Sequence, residues 1–322
     1  MNLKSKKSNF SYNSFDEKSL AKFTAHRDGE TRIGECNLFN KQARFVILGI
    51  EESIGPIANN GFPGAEFAFN AFLSVFLNSQ VHENFEAKDI LILGAIQQNS
   101  ITPSVSEASE QIAELDEFVL KILKENLKEN QIPIVIGGGH NNAYPLIKWS
   151  ALEKKINVIN LDPHADCREP NRRHSGNSFS YALNDSLLKN YAVFGLHEAF
   201  NNSFILDFLK KNDVNHTFYE DYLDKSRDLT SDFNKLVETW NQKEKIGLEI
   251  DMDCIAGMPS SAFSPSGWTL DEVRSYLINA TKSVSNIAYL HLPEASPRND
   301  IEKRLVGKAL TYLFRDFIRN AK

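Results

Sequence analysis

The chain has 322 residues, of which 42% are hydrophobic and 24% charged, with a net charge of -6 at pH 7. This is ordinary globular composition with material for a full core, and without a basic face it argues against nucleic acid as the main partner. No apolar run approaches the ~20 residues of a membrane span, and the three cysteines, Cys36, Cys167 and Cys254, do not form a disulfide pattern. The expectation is a cytoplasmic protein from a reducing compartment, with no membrane partner.

Residues 1–40 are polar and weakly patterned, and read as an N-terminal arm packed onto the body. Their opening, MNLKSKKSNFSYNS, lacks the apolar stretch of a secretory signal. The cationic run at residues 4–7 reads as a solvated tail. Residues 41–322 read as a single domain, without linker, repeat or low-complexity tract.

From residue 43 a rhythm begins. Short runs, apolar on both faces, appear at 43–50, 89–96, 132–138, 156–162, 191–196, 214–219, 245–251 and 286–292. Such runs suit strands buried in a parallel sheet. Between them, residues 65–78, 107–130, 201–212, 269–283 and 302–319 carry apolar side chains at helical spacing. Thr269 with Glu272 three residues on forms a capping box that starts one of these helices. Alternating strands and helices imply crossover connections and one doubly wound α/β sheet of about eight strands.

In such sheets ligands bind beyond the carboxyl ends of the strands. Three loops there hold the chemistry. The first is Ile-Gly-Gly-Gly-His-Asn-Asn at 136–142, where His140 follows a tight glycine turn. The second, at 160–169, places Asp162, His164 and Asp166 at alternate positions. In extended backbone, alternate side chains share one face and would converge. The third, at 248–255, repeats the alternation with Asp251 and Asp253. Carboxylates side by side at the end of a buried strand repel unless a cation joins them. Mixed oxygen and nitrogen ligands suit divalent ions such as Mn²⁺. Cys167 and Cys254, each next to a candidate ligand, read as small packing residues.

These segments resemble the three signature motifs of the ureohydrolases, the arginase–agmatinase–formimidoylglutamase group. The likeness runs from about residue 45 to the C-terminus and includes Asn-Asn-Gly-Phe-Pro-Gly-Ala at 59–65. It implies a three-layer α/β/α fold with an eight-stranded parallel sheet and two divalent ions, most often Mn²⁺. One ion would take His140, Asp162, Asp166 and Asp251, and the other His164, Asp162, Asp251 and Asp253. A hydroxide between them would be the nucleophile, and two ions suit that task. The resemblance makes Asp166 the proton acceptor and donor. It places Glu294, in Leu-Pro-Glu-Ala-Ser-Pro, opposite the cationic C–N group of the substrate. It also implies a homo-oligomer, often a trimer or hexamer.

Within the group, Gly139, Arg168 and Phe179 resemble the formimidoylglutamases. Arginases usually carry Asp, Asn and a proton-shuttling His at these places. A guanidinium at Arg168 suits a substrate carboxylate. Ser175 and Asn177 would contact substrate by resemblance only. Arg172 and Arg173 read either as helpers or as solvated side chains, and His174 as a replacement shuttle. The segment after Asp253, Cys-Ile-Ala-Gly-Met-Pro-Ser-Ser-Ala-Phe, departs from the group's usual Asp-Pro pattern. The leading expectation is a hydrolase converting formiminoglutamate to glutamate and formamide. A guanidino-acid hydrolase releasing urea and a non-catalytic binding relative are the alternatives; product analysis and metal content separate the three.

Overall fold

The computed structural model describes residues 8–83, 85, 87–99, 104–241 and 243–321. The cationic run at 4–7 therefore lies outside the described residues. The strands are β1 (Phe10–Ser14), β2 (Phe45–Glu51), β3 (Ile90–Gln98), β4 (Ile132–Ile136), β5 (Ile156–Leu161), β6 (Leu188–Leu196), β7 (Asn215–Phe218), β8 (Ile246–Ile250) and β9 (Ile287–Leu292). They form one sheet in the order β1-β3-β2-β4-β9-β8-β5-β6-β7. All eight expected runs are strands, and their neighbours pair in parallel. The expectation of eight strands is corrected by β1, which pairs antiparallel with β3 in the segment read as an arm.

The helices are α1 (Glu17–Ala21), α2 (Ile54–Ala58), α3 (Ala68–Phe76), α4 (Val105–Asn126), α5 (Ala143–Ser150), α6 (Ser178–Asn184), α7 (Ser203–Lys211), α8 (Tyr219–Leu223), α9 (Leu229–Thr239), α10 (Leu270–Ser283) and α11 (Asp300–Asn320). Thr269 caps α10 as expected: its hydroxyl accepts from the Glu272 N–H, and the Glu272 carboxylate accepts from the Thr269 N–H. Helices α3, α9, α10 and α11 pack on one face of the sheet, over a core rich in Phe69, Phe72, Phe76, Phe314 and Phe317. Helices α4, α5, α6 and α7 cover the other, around Ile112, Val119, Leu146, Phe179 and Leu209. Strands β2, β4, β5, β8 and β9 are therefore buried along their whole length, which is why they lack polar alternation.

The chain leaves β4 and next enters the sheet at β5, with β9 and β8 lying between them. The four strand ends β4, β9, β8 and β5 are thus neighbours at a topological switch point, where a crevice opens. None of the described helices is long and apolar enough to cross a membrane.

Candidate metal centre

Each of the three loops leaves one of those neighbouring strands, and the fourth, after β9, brings Glu294. After β4, Gly137 and Gly138 turn at φ 84° and 70°, which a side chain would resist. Gly139 is needed for space instead: a Cβ there would lie 2.3 Å from Pro56 Cδ and 2.5 Å from Asn141 Oδ1. The buried Glu52 carboxylate fastens this loop, accepting from the Gly139 N–H at 2.8 Å and from Asn142 Nδ2 at 2.7 Å. No sequence signal singled out Glu52.

The two acidic loops converge by a route other than extended alternation. The Asp162 Oδ1 accepts from the His164 N–H at 2.7 Å, and the Asp251 Oδ1 from the Asp253 N–H, also at 2.7 Å. Each is an Asx-type turn, in which the first aspartate folds the backbone back on itself. Asp166 sits at φ 46°, and residues 252–254 form a 3₁₀ turn. The spacing of two is right, but its physical cause is the Asx turn.

All six expected ligands come together. The His140 Nδ1 lies 3.2 Å from Asp162 Oδ2, 2.9 Å from Asp166 Oδ2 and 2.9 Å from Asp251 Oδ2. The His164 Nδ1 lies 3.5 Å from Asp162 Oδ1 and 3.8 Å from Asp253 Oδ2. Asp162 thus faces both halves of the cluster, and Asp251 meets His140 through one oxygen and the Asp253 N–H through the other. One nitrogen of His140 cannot satisfy three carboxylates, and neither of its ring nitrogens has a regular hydrogen-bond partner. Ligand atoms of His140, Asp162, Asp166 and Asp251 all lie within 4.8 Å of one another, so this donor set could hold a divalent ion.

The electrostatics support that fit. Burial, then the neighbouring Asp253 and Asp162, push Asp251 well above the usual carboxylate range. Burial and the Asp162 charge raise Asp166, and burial raises Asp253. Burial alone would depress both imidazoles. The surrounding carboxylates outweigh it, holding His140 well above its ordinary value and His164 at about 9. Without metal the cluster must take up protons; a cation replaces them.

His164, Asp166, Asp251 and Asp253 open into a cavity of about 290 Å³, lined also by Asn59, Phe62, Arg168, Ser175, Phe200 and Ser261. Glu294 is buried at its wall, with φ 69°. Its Oε1 accepts from the His140 N–H at 2.5 Å, while its Oε2 has no regular hydrogen-bond partner, though the Ser261 side chain acts on the carboxylate. Burial and the Asp253 charge raise it to about 8. Arg168 is exposed at the rim, with no carboxylate in ion-pair range among the described residues. Asn177 is placed elsewhere: its amide accepts from Arg173 Nη1 and the His174 N–H, and donates to Arg172 O, inside the loop.

Two other side chains differ from their sequence reading. Arg173 is neither solvated nor in the cavity, but buried against Asp116 with both Tyr144 and Tyr181 over its guanidinium. His174 does not line the cavity; burial and the nearby Arg168 and Arg173 charges lower it to about 4. Phe179 packs behind the centre, edge-on to His140 at 5.2 Å and stacked on Tyr191 at 4.4 Å. Cys167 and Cys254 are free, buried and packed in the two cores.

The sequence model of the arginase family matches residues 43–317. The chain belongs to the arginase family. A formimidoylglutamase of Macrococcus caseolyticus is 31% identical over 193 residues, 56% of this chain and 58% of that protein. A formimidoylglutamase of Streptococcus pyogenes is 24% identical over 284 residues, covering 84% and 83%. The match thus spans less than two thirds of the Macrococcus relative's length and more of the streptococcal one. In three dimensions the chain resembles formimidoylglutamase from Bacillus subtilis, with a TM-score of 0.75 at 17% identity, covering 92% of this chain and 95% of that one. It also resembles Trypanosoma cruzi formiminoglutamase, solved with Mn2+2, with a TM-score of 0.70 at 19% identity, covering 91% and 100%. Both likenesses are of fold. The arginase-like α/β architecture is as expected, with the ninth strand added.

Proposed function

We propose that this chain is a binuclear-manganese hydrolase that cleaves the amidine C–N bond of formiminoglutamate, a step of histidine degradation in the cytoplasm. The observation that carries the reading is the cavity itself. His164, Asp166, Asp251 and Asp253 line its floor, with His140 and Asp162 buried against them, and an unpaired guanidinium stands at its rim. Residues 41–322 form the catalytic domain in this reading, and residues 1–40 an arm whose strand β1 adds to the sheet edge.

His140, Asp162, Asp166 and Asp251 would hold one ion; His164, Asp162, Asp251 and Asp253 the other. When bound, two such ions acidify a water and direct it at an electrophilic carbon. Glu294 lines the cavity, and a cationic formimino group there would meet its carboxylate, whose Oε2 has no regular hydrogen-bond partner. Arg168, with Ser175 beside it, receives a substrate carboxylate. The water oxygen joins the formimino carbon, the bond from that carbon to the glutamate nitrogen breaks, and Asp166 passes the proton it accepted to that nitrogen. Formamide and glutamate result. Asn177 takes no substrate role, because its amide is engaged in the loop. A homo-oligomeric state rests on the family resemblance and is read by light scattering.

The test is product analysis with manganese-loaded protein offered formiminoglutamate, arginine and guanidinobutyrate in parallel. Formamide from the first is the expected product. Urea released at enzyme-like rates from a guanidino acid would assign the chain to the other branch of the family.

A further inference from the structure

His140 turns Nδ1 toward three aspartates, so as a ligand it must carry its proton on Nε2. That nitrogen is fully buried and has no regular hydrogen-bond partner. The carboxylate facing it is Glu249 on β8, with Oε2 at 3.4 Å. The contact is long for an N–H···O bond, but Glu249 is held in place from two sides. The Tyr289 hydroxyl donates to Glu249 Oε1 at 2.7 Å, and His291 Nδ1 meets Oε2 at 2.6 Å. All four side chains are buried. The sheet fixes them, since Glu249 pairs with His291 across β8 and β9.

A fully buried carboxylate in the middle of a strand has no role in an apolar core and is costly there. Metal-bound histidines generally rest their other ring nitrogen on such an acceptor, which sets tautomer, orientation and basicity.

We propose that Glu249, braced by Tyr289 and His291, is a positioning residue that orients His140 for the deeper metal site. It touches neither substrate nor water. The inference rests on His140 being a ligand, and its readout is metal binding, so it stands or falls separately from the choice of substrate.

The test titrates Mn²⁺ into the chelator-stripped full chain, comparing wild type with Glu249→Gln and Tyr289→Phe. Calorimetry gives affinities, electron paramagnetic resonance tells single from paired Mn²⁺, and the melting temperature of the stripped protein is read alongside. Glu249→Gln is expected to weaken one of two Mn²⁺ sites by about 10- to 100-fold, and to replace the paired-ion spectrum with a single-ion one at limiting Mn²⁺. Tyr289→Phe should shift the same site in the same direction by less, and it carries the test if Glu249→Gln does not fold. Unchanged Mn²⁺ affinity in the folded variants would overturn the proposal. So would equal weakening of both sites in step with a lower melting temperature, which marks a purely structural residue. A third Mn²⁺ bound by wild type and lost in Glu249→Gln would also overturn it, making Glu249 a ligand.

Discussion

Arg173 donates to both carboxylate oxygens of Asp116, at 2.9 and 3.1 Å, and to Asn177 Oδ1 and Asn141 O. It ties α4 to the loop before α6 and to the His140 turn. Removing one partner of a buried pair strands the other, so Arg173→Ala should cost about 3–5 kcal/mol. Urea unfolding of the metal-loaded protein measures this; a loss below 1 kcal/mol would contradict it. Gly139 makes a second residue-scale case. The aspartate usual in arginases cannot fit here, because Pro56 fills the space its Cβ would need. Gly139→Asp should therefore displace the His140 turn and lower Mn²⁺ affinity, seen by calorimetry. Retained affinity would mean that the turn gives way freely. Arg173 and Gly139 also differ in legibility. Gly139 was readable as a departure at a known motif position. The sequence shows Arg173 only as one of two adjacent arginines, since its partner Asp116 lies 57 positions away.

At the scale of elements, the eight parallel strands and five of the helices (α3, α4, α7, α10 and α11) were legible because burial on both faces, or on one helical stripe, leaves a regular apolar pattern; α9 was not read. Helices α5 and α6 left no such stripe; α6 is seven residues long and packs as part of the loop system. Strand β1 was missed for a related reason. Phe-Ser-Tyr-Asn-Ser alternates over only five residues, with Phe10 its one buried side chain. It covers the free edge of β3, with Phe10 opposite Gln98 and Ser14 opposite Gly94. An uncovered edge of that length invites pairing with another chain. Deleting residues 1–15 should thus lower the melting temperature and produce time-dependent light scattering, while spectroscopic β-content stays near that of the whole chain. A truncated protein as stable and monodisperse as the parent would show that β1 does not protect the sheet. At the site, the six ligand positions were legible from residue type and spacing. Their supports, Glu52 just beyond β2 and Glu249 and His291 within β8 and β9, were not, since a lone polar residue in or after a strand gives no sign of what it meets in the fold.

For the whole molecule, the cluster makes stability depend on protons and metal together. Asp166, Asp251 and Asp253 titrate above their ordinary values when folded, chiefly through burial, and His140 and His164 are held up by the carboxylates around them. A group raised on folding stabilises fully below its unfolded value and loses that contribution as pH rises through its folded one. Asp162 shifts the other way, and its contribution changes only in the acid range. The metal-free protein should therefore lose stability as pH climbs from the ordinary carboxylate range of about 4 to the His164 value of about 9. Bound metal removes that loss, because it takes the place of the protons. The melting-temperature gap between manganese-loaded and chelator-treated protein should widen steadily with pH. A gap that is constant or narrows would show that the cluster does not exchange protons for metal.

The proposed reaction turns on two ions held at the ends of β4, β5 and β8. Metal content per chain after stripping and reloading, with formiminoglutamate turnover followed on the same sample, tests it most directly. Wild type should hold two Mn²⁺ and release formamide, while His164→Asn should keep one ion and lose turnover. A wild-type chain that turns the substrate over without bound metal, or that reloads no metal at all, would contradict it.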